Sequence, residues 1–159
     1  MIKITLIALG KLKEKYLRDA VDEYAKRLSR YCKLEIVELN PIVLPEKPSQ
    51  SEIDTALLKE SELIEKRIPD GARVITLCVE GKSFTSEKLS EFIDSNTNSG
   101  TNMCFIIGSS YGLSETIKQK SDVRLSLSAM TFPHQLFRVM LLEQIYRAFK
   151  INEGGTYHK

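Results

Sequence analysis

Two short stretches of the chain, Arg73–Val79 (RVITLCV) and Met103–Ile107 (MCFII), are apolar at almost every position. A strand with one wet face alternates apolar and polar side chains, so a run without alternation has both faces covered. Strands of that kind belong to parallel sheets sandwiched between helices, and the rest of the chain supplies the parts. Residues 2–8 (IKITLIA), Leu34–Leu39 and Val123–Leu127 are further strand-like runs.

Between the runs, apolar residues recur at helical spacing. Leu17, Ala20, Val21, Tyr24 and Leu28 predict a helix over about residues 14–30. Ser49 with Glu52 is a capping-box pattern opening a helix that stops before Pro69. Thr85 or Ser86 caps a third helix over about 86–96, Ser114–Gln119 forms a short fourth, and a fifth runs from about Phe132 to Lys150. NPIVLPEKPS, with three prolines in ten residues, reads as loop, and Glu80-Gly81-Lys82 reads as a turn.

The β-α alternation predicts an α/β sandwich, a mostly parallel sheet flanked by helices, as a single domain over residues 1–159. Ligands of such sheets bind beyond the carboxyl ends of the strands. That rule selects three loops: after Leu77, at Gly108–Gly112 and at Leu127–Phe132.

Composition narrows the function classes. No run of 18 apolar residues is present, so no membrane-spanning helix is expected. The first residues read as a strand, not a targeting peptide, which leaves the cytoplasm as the expected location. Cys32, Cys78 and Cys104 match neither a disulfide framework nor a zinc pattern, and with two histidines no metal site is expected. Cys78 and Cys104 read as small buried hydrophobes.

The formal net charge of +2 hides an uneven distribution. Residues 1–31 carry eight Lys/Arg against four acids, residues 32–70 five against nine, and residues 133–159 four against two. A basic start and end sharing one face would suit a polyanion; solvated helix faces give the same arithmetic.

Pro133–Lys150 places Leu136, Phe137, Val139, Met140, Leu141, Leu142, Ile145, Tyr146 and Phe149 all around the helical wheel. Such a helix needs cover on two sides. Its own sheet supplies one; a second copy of the chain, in a two-fold dimer, is the simplest second cover, and threading through one thick core is the other.

Several segments carry possible chemistry. Gly108-Ser-Ser-Tyr-Gly112 offers backbone amides to an anion or carboxylate, or is a plain tight turn. Leu127–Phe132 leads into the last helix, with Thr131 or Phe132 at the cap position and Pro133 in the first turn. His134 and Arg138 share a face, as a phosphate-binding or interface pair or as a surface pair. The end, Gly154-Gly-Thr-Tyr-His-Lys159, carries an aromatic ring, an imidazole and a cation after glycines. It suits base stacking and proton transfer, or is a disordered end.

LSLSAMTFPHQLFRVMLLEQIYRAFKI with the terminal YHK resembles the C-terminal signature of the RlmH family, small SPOUT-class ribosomal RNA methyltransferases. VITLCVEGK, FIIGSSYGLS and MIKITLIALGKLKEKY are similar to its upstream blocks, so the likeness covers essentially the whole chain. The resemblance implies a deep trefoil knot near the C-terminus, a homodimer, and S-adenosylmethionine held by Leu77, Gly108, Leu127, Ser128, Ala129, Met130, Thr131 and Phe132. It further implies methylation of N3 of a pseudouridine in 23S rRNA on the ribosome. Where the family carries Gly-Gly, this chain has Gly108-Ser109.

For that reaction His158 and Tyr157 are the expected proton-handling residues, with Arg138 as a cation, acting across the dimer beside the partner's cofactor. The rival expectations are a nucleotide-binding module without methylation and a non-catalytic ribosome-binding protein. The absence of GxGxxG and Walker patterns weighs against the first.

Overall fold

A computed structural model describes residues 1–159. Five strands alternate with five helices: β1 (Lys3–Leu9), α1 (Lys15–Leu28), β2 (Lys33–Leu39), α2 (Gln50–Glu65), β3 (Arg73–Ser83), α3 (Ser86–Asn98), β4 (Met103–Ile107), α4 (Glu115–Lys120), β5 (Val123–Ser126) and α5 (His134–Asn152). The strands form one sheet in the order β2-β1-β4-β3-β5, and every pairing is parallel. The mostly parallel sheet flanked by helices is therefore present.

The unalternating runs lie where both faces are covered. All of β4 is buried, as are Val74–Leu77 of β3. Ile4, Leu6, Ile75, Phe105 and Leu125 pack on one face under α1, α3 and α5. Ile7, Val74, Cys104 and Ile106 pack on the other with Ile64 of α2 and Ile117 of α4. The capping box is complete: Glu52 N–H donates to Ser49 Oγ at 3.1 Å, and Ser49 N–H donates to Glu52 Oε1 at 3.2 Å.

Three local expectations change. Glu80-Gly81-Lys82 is not a turn, because β3 continues to Ser83 after a break in which residues 78–81 leave the ladder. Leu77 and Lys82 both lie opposite Leu125, a bulge that Gly81 permits: a Cβ there would stand 2.8 Å from the Arg124 and Leu125 backbones. α5 begins two positions later than expected, at His134. Pro133 occupies the N-cap with extended ψ and α5 has no side-chain cap, since a residue preceding proline is held out of the helical region. Cys78 is only half-buried, on the bulge, whereas Cys32 and Cys104 are buried and their thiols are pushed up to about 12 by that burial.

The apolar wheel of α5 divides in two. Leu141, Leu142, Ile145, Ala148 and Phe149 are buried against the sheet, α1 and α3. Leu136 is 37% exposed, and Phe137, Val139, Met140 and Tyr146 are half-buried. After Asn152 the chain turns at Gly154 (φ +75°) and folds back along α5.

Candidate active site

The segment after Leu77, expected as a strand-end loop, is the bulge within β3, and it meets the loops after β4 and β5 around a cleft of about 680 Å³. That volume lies within the usual range for small-molecule sites, roughly 300–1,000 Å³. Leu77, Gly108, Leu127, Ser128, Met130, Thr131 and Phe132 all line it; Ala129 does not and is exposed. Cys78, Glu80 and Tyr111 of the selected segments are in the wall as well, together with Lys118, His134 and Phe137, which the three-loop rule did not single out.

Two glycines shape the loop after β4 for different reasons. A Cβ on Gly108 would lie 2.3 Å from the Gly112 carbonyl oxygen, so that position admits no side chain. Gly112 has φ +84° and donates its N–H to the Ser109 carbonyl at 2.8 Å, closing a tight turn. Ser109 stands in ordinary backbone, as no residue other than glycine has positive φ. Its hydroxyl donates to Glu60 Oε1 at 3.2 Å, and Glu60 Oε2 accepts the Ile42 N–H at 2.9 Å. The buried Glu60 carboxyl thus ties α2, the proline-rich segment and the glycine loop together, and burial pushes it above the ordinary range. The loop after β5 braces itself: Ser126 Oγ donates to the Ser128 carbonyl at 3.1 Å, and Ser128 Oγ accepts the Met130 N–H at 3.0 Å.

His134 lies in the cleft at the start of α5, its pKa lowered by burial and then by the nearby Arg138 cation, so the ring is neutral at pH 7. Arg138 is neither a surface residue nor in the cleft wall. It is 2% exposed, donating Nη1 to Glu38 Oε2 at 2.6 Å and Nη2 to the Gly10 carbonyl at 3.1 Å. It pins the first turns of α5 to the ends of β1 and β2.

Tyr157 and His158 also lie outside the cleft wall, in a second cluster along α5 and the start of α3. Tyr157 Oη donates to Glu143 Oε1 at 3.1 Å, its ring meets Tyr146 edge-on at 5.1 Å, and the Arg147 guanidinium sits 4.8 Å from the ring centre. Burial, and then the Glu143 charge, pushes the phenol up to about 12, so it is a donor at neutral pH. His158 Nδ1 lies 3.1 Å from Arg147 Nη1, and Nε2 lies 2.7 Å from Glu87 Oε1. Because guanidinium only donates, Nδ1 accepts and Nε2–H donates to the carboxylate. Arg147 in turn donates Nη2 to Glu143 Oε1 at 2.7 Å. Glu143, Arg147 and Glu87 were invisible as a site in the sequence, since only the fold-back of the tail assembles them. The His134/Arg138 spacing was visible and led to two different environments.

A parallel α/β sheet whose strand-end loops close on one cleft defines a class that comparison makes specific. A family model described as a predicted SPOUT methyltransferase matches residues 2–158. The chain is 55% identical to a ribosomal RNA large subunit methyltransferase H of Clostridium botulinum (strain Alaska E43 / Type E3), covering 99% of this chain and 100% of that one. It is 52% identical to the protein of the same name in Clostridium acetobutylicum, with the same coverage. The fold is similar to a solved structure of a probable methylase family protein from Haemophilus influenzae Rd KW20, with a TM-score of 0.54 at 13% identity over 99% of this chain and 70% of that one. The chain belongs to the RlmH family of SPOUT methyltransferases, enzymes that transfer methyl groups.

Proposed function

We propose that the chain, as a homodimer, methylates N3 of a pseudouridine in 23S rRNA of the large ribosomal subunit, with S-adenosylmethionine as donor. The observation that carries the reading is the convergence of three segments on one cleft in a chain half-identical, end to end, to large-subunit rRNA methyltransferases. The cleft suits the donor. Ile107, Leu127 and Phe137 give it apolar walls, Ser110, Ser128 and Thr131 lie in polar loop segments, and the amides at the start of α5 have no side-chain cap. When bound there, the donor supplies an electrophilic methyl group on a sulfonium. Leu77, Gly108, Leu127, Ser128 and Met130–Phe132 would hold it in this reading.

The dimer reading rests on the outer face of α5. Tyr24, Phe84, Leu89, Leu127, Val139 and Met140 line an apolar groove of about 320 Å³ beside it. Leu127 lines both groove and cleft, so a second copy seated on the groove would come up against the cleft. That arrangement would bring the Tyr157–His158 cluster of one protomer to the donor of the other. The trefoil knot belongs to the same reading. β5 lies at the sheet edge beyond β3, yet α5 packs against both α1 and α3, and the connecting loop passes the bulge of β3 and the loop after β4 on the way.

N3 of pseudouridine lies between two carbonyls and gives up its proton as it takes the methyl group. His158, oriented by Glu87, is the group we assign to handle that proton, with Tyr157 as a hydrogen-bond donor. Arg138 acts as a positioning residue, and Arg147 is the cation in contact with His158. The cytoplasm, where ribosomes are made, is the expected location; no helix is long and apolar enough to cross a membrane.

Deleting Gly155–Lys159 should leave S-adenosylmethionine binding by calorimetry within about twofold while removing incorporation of tritiated methyl into ribosomes from cells lacking this modification. Loss of donor binding on truncation would sink the division between cleft and tail. Ribosome binding without incorporation by the full chain would favour a non-catalytic role.

A further inference from the structure

Among the cleft-lining residues Glu80 is the only carboxylate and Lys118 the only lysine or arginine. The two form an ion pair across the wall, and Lys118 holds the Glu80 carboxyl below its ordinary range. Glu80 reaches this position because the bulge at residues 78–81 lifts it out of the β3 ladder, a common use of such bulges. Lys118 is the more buried partner, its side chain 14% exposed against 54% for Glu80, so Glu80 presents the more accessible charge. Glu115, 4.0 Å from Lys118, and Arg124, 3.6 Å from Glu115, continue the cluster behind them, and the four charges cancel.

From this geometry we infer that the Glu80–Lys118 pair sets the preference of the cleft for the methylated donor over its demethylated product. The inference rests on the S-adenosylmethionine reading. S-adenosylmethionine carries a sulfonium that becomes a neutral thioether in S-adenosylhomocysteine; the two compounds otherwise share the same polar groups. Discrimination between them is therefore a matter of the potential inside the cleft. Lys118 alone would make that potential positive and favour the spent product, and Glu80 offsets it. Release of product, and not only capture of donor, then depends on one surface carboxylate.

Four proteins decide the matter: the unaltered chain, Glu80→Gln, Lys118→Met and the double variant. Calorimetry gives the affinity of each for both compounds, and their ratio is the quantity of interest. Were the pair to lie about 10 Å from the sulfonium, removing a unit charge behind an effective dielectric between about 20 and 80 would change that ratio roughly two- to fifteenfold. The preference for the donor should rise in Lys118→Met, fall in Glu80→Gln and return towards the starting value in the double variant, with differences that shrink at high salt. Affinity for the neutral product reports the integrity of the cleft, a readout that structural damage lowers without producing this order. A ratio unmoved across the four proteins, or equal loss of both compounds in Glu80→Gln, overturns the inference while leaving the donor assignment standing. Failure of the unaltered chain to bind either compound overturns the donor assignment and this inference with it.

Discussion

Gly108 is a glycine for want of space, since its missing Cβ leaves room for the Gly112 carbonyl across the turn. Gly108→Ala should weaken S-adenosylmethionine binding more than tenfold by calorimetry and lower unfolding stability by about 1–3 kcal/mol, because the neighbouring atom is backbone and cannot rotate away. Ser109 makes the complementary point: an ordinary backbone there accepts a side chain, and the hydroxyl finds Glu60. Positions at strand ends were legible from sequence because strand ends follow from hydrophobic runs. Glu80 and Lys118 were not, as thirty-eight residues separate them and only the bulge brings them together. Arg138 was legible as a helix-face residue, but whether that face met solvent or the ends of β1 and β2 depended on packing that periodicity does not encode.

At the scale of elements, signals with a local mechanism held to within a residue or two. The Ser49 capping box needs only four consecutive residues, and both of its hydrogen bonds are formed. Ser49→Ala should cost about 1 kcal/mol and lower the thermal midpoint by roughly 2–4 °C in a scanning experiment, with no change in donor affinity, since the cap lies at the far end of α2 from the turn where Glu60 meets Ser109. The β3 extension was missed because glycine after an acidic residue ordinarily marks a turn, whereas here it permits close backbone approach to β5. Along α5 the wheel showed that two covers were needed. It did not show that the chain's own tail, through Tyr157 on Tyr146, would take part of the second.

For the molecule as a whole, cleft and tail occupy separate places on one protomer, and a composite site follows only if two copies share it. Mixing a tail-deleted chain with Gly108→Ala, after exchange of subunits, should restore methylation although neither acts alone. Random exchange makes half the dimers mixed, each with one intact cleft facing one intact tail, so about a quarter of normal activity is expected in the ribosome assay. No restoration, with exchange verified by sedimentation of tagged subunits, would place tail and cleft in the same chain.

The strand order carries a consequence for biosynthesis. β1 with β2 and β3 with β4 are the pairs adjacent both in sequence and in the sheet, and β3 has no partner until β4 is made. While the ribosome has delivered only the first hundred residues or so, β3 is an apolar ribbon with both edges open, a state prone to mispairing. Emergence of Met103–Ile107 joins β1 to β3 in one step, so a strand buried along its whole length is also the zipper that closes the sheet. Folding of this protein is accordingly governed by contacts distant in sequence, and its nascent form depends on the time taken to translate α2 through α3.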